Sequence, residues 1–470
     1  MTGLTEAIAT FIAGSNIDSP PPAAIEKSKK VLADTFATIV AGAGSEVADP
    51  ILRYIDESGG SGSSPILATN RRTSRELAAL ANGTFGHALD FDDVLPMMPG
   101  HPSAIIVAAA LATLGGKALS GRDLIEAHII GIEVGAKIGL AITHGHYERG
   151  FHGTGTLGIF SAVGALAKLH ALDAPTIRMA IGIASSMASG VRRNFGTMTK
   201  PLHTGWAARN AVVAVDLARC GFTAAPDVLE GKTGFFAAYG VEGSDATVAV
   251  GKLGHPWAIV EPGIGLKQYP CYNGVQRAMY GLLELRARMG FTADTVDRVE
   301  CRMAPGAMKI MVYPRPVTGL EGKFSMHYAL ASGVLDGKYG LSTFTDEAVN
   351  RPAIRALLEN IDAREDARIG ADDPLLHTRA AGTRGFVEVE VHLRDGKHEM
   401  IRIDTVPGHP SRELGWEVIE AKFLDCASHG GIDAGHAAHA FSALRTLESC
   451  GDLSEIVDLL MVRSQARGRL

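Results

Sequence analysis

Several features are absent from this 470-residue chain, and each absence closes off a class of function. There is no CxxC pair. The five cysteines, Cys220, Cys271, Cys301, Cys426 and Cys450, are scattered and odd in number. That argues against a disulfide framework and a zinc site, and for a reducing compartment. There is no run of Lys or Arg. The net charge is −6 and the pI is near 6.3, so nucleic acid is not a fitting partner. The longest apolar run, around residues 104–114, falls short of the roughly 20 residues that span a bilayer. The opening MTGLTEAIATFIAG carries Glu6 and no cationic segment, so it does not read as a secretion signal. No internal repeat or low-complexity tract is present. The expectation is a cytoplasmic protein with no membrane partner.

What is present is ordinary globular composition, 46% hydrophobic and 20% charged, with length for a large core. The 55 glycines sit largely inside helical patterns, which suits close helix–helix packing. Helices are predicted over residues 5–13, 23–41, 47–57, 74–85, 124–142, 157–170, 177–191 and 204–220. Ser19 is a candidate cap ahead of Pro20–Pro22, and Ser120 with Asp123 forms a capping box. Up to about residue 265 the chain reads as nearly all helix.

The texture then changes. Residues 295–302 alternate, and so do residues 386–393, with Val387, Val389, Val391 and Leu393 on one face. Asp395-Gly396 is a hairpin turn leading to a partner strand at residues 398–405. Helices are predicted between the strands at residues 325–335 and 346–360. Further helices follow at 414–427, 434–447 and 453–463. The predicted fold is mainly α. A large, discontinuous helical domain (1–265 and 406–470) carries a smaller α/β lid domain (266–405).

The stretch GHALDFDDVLPMMPGHPS, residues 86–103, organises the chemistry. Asp90, Asp92 and Asp93 follow a helix-like run, and a short loop returns His101 at the start of the next apolar segment. Acids and a histidine at two helix ends suit proton transfer. Gly153-Thr-Gly155-Thr-Leu-Gly158 matches GxGxxG, but polar residues stand where the dinucleotide fingerprint needs a strand. It reads better as a turn opening a helix, whose N–H groups can hold an anion. His152 precedes that turn, a position favouring a neutral imidazole and an anionic ligand. Lys200 and His203 precede the helix predicted at residue 204, either as solvent-facing residues or as a second anion site. Lys267, Tyr269 and Tyr272 lie where the helical part gives way to the α/β part, either as a linker or as a cleft wall. Cys426-x-x-His429 and His436-x-x-His439 mimic metal-ligand spacing, but Gly430-Gly431 and the single cysteine spoil a closed four-ligand site. The three aspartates could bind Mg²⁺ but lack the spacing of a calcium loop. No metal is expected.

Together these motifs resemble the MmgE/PrpD family, which includes 2-methylcitrate dehydratase, cis-aconitate decarboxylase and iminodisuccinate epimerase. The resemblance rests on ALANGTFGHALDFDDV with HPSA, GFHGTGTLG, NFGTMTKPLHTGWAARN, LKQYPCY, EGKFSMHYALASGVLDG and PGHPSRELGWEVIEAKFLDCA. It implies a helical domain plus an α/β lid with the site between them, a homodimer, and a small di- or tricarboxylate substrate. It implies no redox cofactor and no obligatory metal. The family's site positions fall on Asp90, His101, His152, Lys200, Lys267 and Tyr328. Where the family's lid often carries a histidine, this chain has Tyr272 and Gln276. The loop between Asp90 and His101, and the run GHYERGFH with Tyr147, look closest to the epimerase branch. Tyr328, in FSMHY, looks more like the decarboxylase.

On this resemblance, Lys200, Lys267 and His101 neutralise substrate carboxylates, assisted by His203, Tyr147 and Tyr272. His152 transfers the proton, Asp90 orients His101 or Lys200, and Tyr328 donates from the lid. The expected activity is a cofactor-independent lyase working at a carbon α to a carboxylate, by dehydration or decarboxylation. The alternatives are an epimerase of an iminodisuccinate-like acid, a metal-dependent hydrolase, or a non-catalytic polycarboxylate-binding protein.

Overall fold

A computed structural model describes residues 3–372 and 383–462. The chain divides into two compact units. The first comprises Met1–Arg193, Thr199–Leu266 and Leu414–Leu470; the second comprises Asn194–Met198 and Lys267–Glu413.

The first unit is helical. Its core is built on Pro22–Gly42, Arg75–Ala88, Pro102–Thr113, Gly121–Ile142, Gly158–Leu169, Ala174–Ser185 and Thr199–Arg219. Pro102–Thr113 is buried along its whole length, as its apolar composition on every side requires. The Ser120–Asp123 capping box forms as expected, each side chain satisfying the other's backbone N–H.

One crossing positions the site. A Cβ on Gly83 would stand 2.8 Å from the Cα of Gly205, and one on Gly205 would stand 2.2 Å from Thr84 Oγ1. Only glycines allow this approach of Arg75–Ala88 to Thr199–Arg219. The contact lies five residues from the end of the first helix and six from the start of the second. The C-terminal half of one therefore meets the N-terminal part of the other, each within two turns of its end.

The second helix starts at Thr199, five residues before the predicted start. Lys200 and His203 thus lie within its first turns rather than ahead of it. Pro201 does not prevent this, because a first-turn N–H has no intrahelical partner to lose. Other expectations also need correction. Ser19 does not cap: its hydroxyl accepts from Asn16 N (2.9 Å), and Pro21 takes the cap position of Pro22–Gly42. Between Cys220 and Gly265 the only helices are the short Phe235–Tyr239, Ala246–Val248 and Ile259–Gly263. Glycines at positive φ (Gly221, Gly243, Gly251, Gly254) interrupt this stretch. The helix predicted over 453–463 is Ser454–Leu459, and Arg463 lies outside the described residues.

The second unit holds a four-stranded sheet in the order Ile361–Glu365, Val296–Met303, Val387–Leu393, His398–Ile403. The first pair is parallel and the other two are antiparallel. Val387, Val389 and Val391 are buried, as the alternation implies. Gly281 of the helix Gln276–Met289 faces Ile401, Ile403 and Val389, so that helix covers the buried face. Ile361–Glu365 was not foreseen, because only Ile361 is buried and the segment shows no apolar alternation. The helix predicted over 346–360 is broken into Asp346–Val349, Pro352–Leu357 and Leu358–Asn360. Pro352 holds Arg351 in an extended conformation. Among the described residues, no helix is long and apolar enough to cross a membrane.

Candidate active site

The three acids that follow Arg75–Ala88 each hold a different group. Asp90 sits at φ 52°, a left-handed conformation that aspartate tolerates better than most residues. It follows the helix C-cap, Leu89, and its Oδ2 accepts from Lys200 Nζ at 2.7 Å. Asp92 accepts from His87 Nδ1, at 3.0 Å on Oδ1 and 2.8 Å on Oδ2. Asp93 works through two of its groups. Its carboxyl takes Ser103 Oγ (2.6 Å) and Ser103 N (3.3 Å), and its main-chain carbonyl takes His101 Nδ1.

His101 is the N-cap residue of Pro102–Thr113, and its backbone N–H donates to Thr154 Oγ1 (3.3 Å). His152 stands at the head of the short turn Gly153–Thr156. Its Nδ1 lies 3.0 Å from His203 Nδ1, so one imidazole donates and the other accepts. The GxGxxG glycines here serve packing. A Cβ on Gly153 would stand 2.7 Å from Pro99 O, and one on Gly155 would stand 2.3 Å from Ser189 O. Four imidazoles form a row: His101 to His87 at 4.7 Å between ring centroids, His87 to His152 at 5.7 Å, and His152 to His203 at 5.2 Å.

Burial dominates the electrostatics. Desolvation holds His152 well below the usual imidazole range, and the neighbouring His203, Lys200, His87 and His101, each of which would repel an imidazolium when charged, add to it. Desolvation, then His87 and Lys200, brings His203 down to about 4. His87 is lowered mainly by desolvation, partly offset by Asp92. Desolvation and the Asp92 charge push Asp93 well above the usual carboxyl range. Behind Asp93 runs a buried polar chain: Ser103 Oγ to His128 Nε2 (2.9 Å), then His128 Nδ1 to Ser28 Oγ (2.8 Å). Desolvation takes His128 down to about 3.

The first unit therefore brings together Asp90, His101, His152, Lys200 and His203. His87 is the residue that sequence reasoning missed. It lies in the same motif, but a histidine in the last turn of a helix is commonplace there and drew no attention. Its five-residue spacing to Asp92 was the available signal. Tyr147, also buried, lies under the Arg192 guanidinium, 4.5 Å from the ring centroid.

Among the described residues, two groups cluster closely enough to hold a metal ion: His87/Asp92/His101 and Glu300/Glu390/His392. Hydrogen bonds account for the first, because His87 lies between Asp92 and the Lys200 ammonium (2.8 Å from Nε2). In the second, Arg298 and Arg302 already pair with Glu300, and Arg302 also pairs with Glu390. Neither the Cys426/His429 nor the His436/His439 pair belongs to such a group.

The model of the MmgE/PrpD N-terminal domain matches residues 6–246, and that of the C-terminal domain matches residues 269–443. The chain belongs to the MmgE/PrpD family. The human cis-aconitate decarboxylase is 26% identical, over 98% of this chain and 95% of its own length. The mouse cis-aconitate decarboxylase is 26% identical, over 91% and 87%. The Aspergillus terreus cis-aconitate decarboxylase is 24% identical, over 84% and 83%. The chain is an enzyme of the MmgE/PrpD lyase type.

Asp90, His101, Tyr147, His152, Lys200 and His203 all fall within the matched MmgE/PrpD N-terminal domain. Tyr272 and Tyr328 fall within the C-terminal one, and Lys267 lies two residues ahead of it. These last three belong to the second unit. Lys267 is buried. The Tyr272 ring stacks on Phe324 at 5.9 Å. Gln276 pins the preceding loop through Tyr269 O (2.8 Å). The Tyr328 hydroxyl donates to Thr343 O, and burial pushes its phenol well above the usual range.

Proposed function

We propose that this enzyme decarboxylates a small unsaturated tricarboxylate of the cis-aconitate kind by proton transfer, with neither metal nor redox cofactor in the step. The observation that carries this reading is the grouping of buried Lys200, His152 and His203 with the half-buried His101. It is supported by similarity to decarboxylases along nearly the whole chain.

The chemistry asks for cations that hold carboxylates and an acid at carbon. The bond to the departing carboxylate breaks, and its electrons form a new double bond. The electrons of the old double bond take a proton at the carbon α to a remaining carboxylate. Lys200 and His101 bind the retained carboxylates, where preorganised positive charge in a dry site counts most. His152 delivers the proton. Burial lowers its proton affinity, and a trianion beside it raises that affinity and charges it when the acid is needed. His203 supports His152 through the Nδ1 contact, and Asp90 fixes Lys200.

Lys267, Tyr147 and Tyr272 are proposed as substrate-binding residues on the family resemblance. The same resemblance gives Tyr328 a proton-donating role, which requires it to exchange its bond to Thr343 for substrate.

The test is CO₂ release by the wild-type enzyme from cis-aconitate, 2-methylcitrate, citrate and iminodisuccinate. Release from cis-aconitate alone supports the reading. A new vinylic signal without CO₂ makes the enzyme a dehydratase. Stereochemical scrambling of iminodisuccinate with no CO₂ makes it an epimerase and overturns the reading.

A further inference from the structure

Lys200 is gripped from two sides. Its ammonium donates to Asp90 Oδ2 at 2.7 Å and to His87 Nε2 at 2.8 Å. An ammonium has donors and no acceptor, so the nitrogen facing it must present a lone pair. On the other side of the ring, His87 Nδ1 lies 2.8 Å from Asp92 Oδ2, and a carboxylate only accepts. The nitrogen facing Asp92 must therefore carry the proton. These neighbours leave His87 one form, the neutral Nδ1–H tautomer.

We propose that His87 is a positioning residue for catalysis: set in the Nδ1–H tautomer by Asp92, it accepts from Lys200 and, with Asp90, fixes the direction of the ammonium. This inference rests on the reading of Lys200 as a carboxylate-binding group. A lysine side chain has four rotatable carbons and an ammonium that spins freely, unlike the rigid fork of arginine. Tying two of its three donors to partners on another chain segment removes that freedom before substrate arrives. Both partners come from one short segment, with His87 in the last turn of Arg75–Ala88 and Asp90 just beyond it. The close crossing at Gly83 and Gly205 brings that segment to Lys200. Asp92 reaches Lys200 through His87, and its side chain is fully buried with the ring. The ring also lies between His101 and His152, so a change in its placement reaches both.

Two measurements test this. In the wild-type enzyme with ¹⁵N-labelled histidine at pH 7.5, His87 should show a protonated Nδ1 and an unprotonated Nε2. The Nε2 resonance should move in Lys200→Met. An Nε2–H tautomer, an imidazolium, or an Nε2 signal indifferent to Lys200→Met overturns the proposal. The second measurement compares variants. His87→Phe keeps a ring but offers no acceptor, and kcat/KM should fall by about 100-fold, the scale of a misplaced binding group. His87→Gln returns an acceptor near the position of Nε2 and should recover at least about tenfold of that loss. Equal activity of the Phe and Gln variants, with both folded by circular dichroism, also overturns it. If the wild-type enzyme turns over no polycarboxylate, the functional reading fails. The tautomer measurement, which needs no substrate, still decides the state of His87.

Discussion

Lys200 Nζ stands 2.7 Å from Asp90 Oδ2, and both side chains are almost wholly buried. Breaking such a pair strands a charge, at a cost of about 3–5 kcal/mol. Asp90 also occupies the left-handed region, at φ 52°, which asparagine adopts at less cost than alanine. Asp90→Asn and Asp90→Ala should therefore both destabilise strongly, with the alanine variant lower by a further 1 kcal/mol or so. Urea denaturation of the two variants measures the difference. Equal stabilities would remove the backbone part of the account, and a loss below about 1 kcal/mol in both would remove the pair itself.

In the proposed mechanism His152 carries the proton-transfer step. His152→Ala should lower turnover by at least about 100-fold, within the usual range for a general acid–base group. Initial rates of the purified variant check this. Near-wild-type turnover would reassign the step.

Burial predicts acid lability with a definite sign. His128 is lowered to about 3 and His203 to about 4, chiefly by desolvation. In the unfolded chain both titrate near 6.5. Below that pH the unfolded state binds more protons than the folded one. The stability these groups provide is full above about pH 6.5 and is lost as pH falls towards their folded values. Each removes up to about 1.4 kcal/mol per pH unit in that window. Urea midpoints at pH 7.5, 6.5, 5.5 and 5.0 should fall progressively below 6.5, and His128→Gln should flatten the slope. A midpoint that rises or stays level on acidification contradicts the assignment.

Asp93 behaves in the opposite sense, with its carboxyl pushed well above the usual range by desolvation and by Asp92. Asparagine carries no charge to desolvate and keeps an acceptor for Ser103. Asp93→Asn should cost less than about 1 kcal/mol, whereas Asp93→Ala strands the Ser103 donors and should cost about 1–3 kcal/mol. Denaturant titration of the two variants separates them, and equal losses would contradict the role of Asp93 as the acceptor for Ser103.

Much of this arrangement was legible beforehand. The alternation of Val387, Val389 and Val391, the Ser120–Asp123 cap and the return of His101 after three aspartates are local patterns, and all three appear in the structure. The MmgE/PrpD motifs carried the rest of the residue choice. What stayed hidden depends on tertiary approach. His152 and His203 are 51 residues apart, and Lys200 and His87 are 113 apart, so no periodicity links them. The start at Thr199 was obscured by Pro201, which reads as a helix breaker away from a first turn. Ile361–Glu365 was obscured because it is an edge strand with a single buried residue.

The most direct test of the central claim is the deuterium content of the product formed from cis-aconitate in D₂O. Proton delivery from a solvent-exchanged imidazole predicts a decarboxylated product with one deuterium, at the carbon α to a retained carboxylate, and no deuterium in unreacted substrate. Product without deuterium, or deuterium washed into substrate with no loss of CO₂, would contradict decarboxylation by proton transfer.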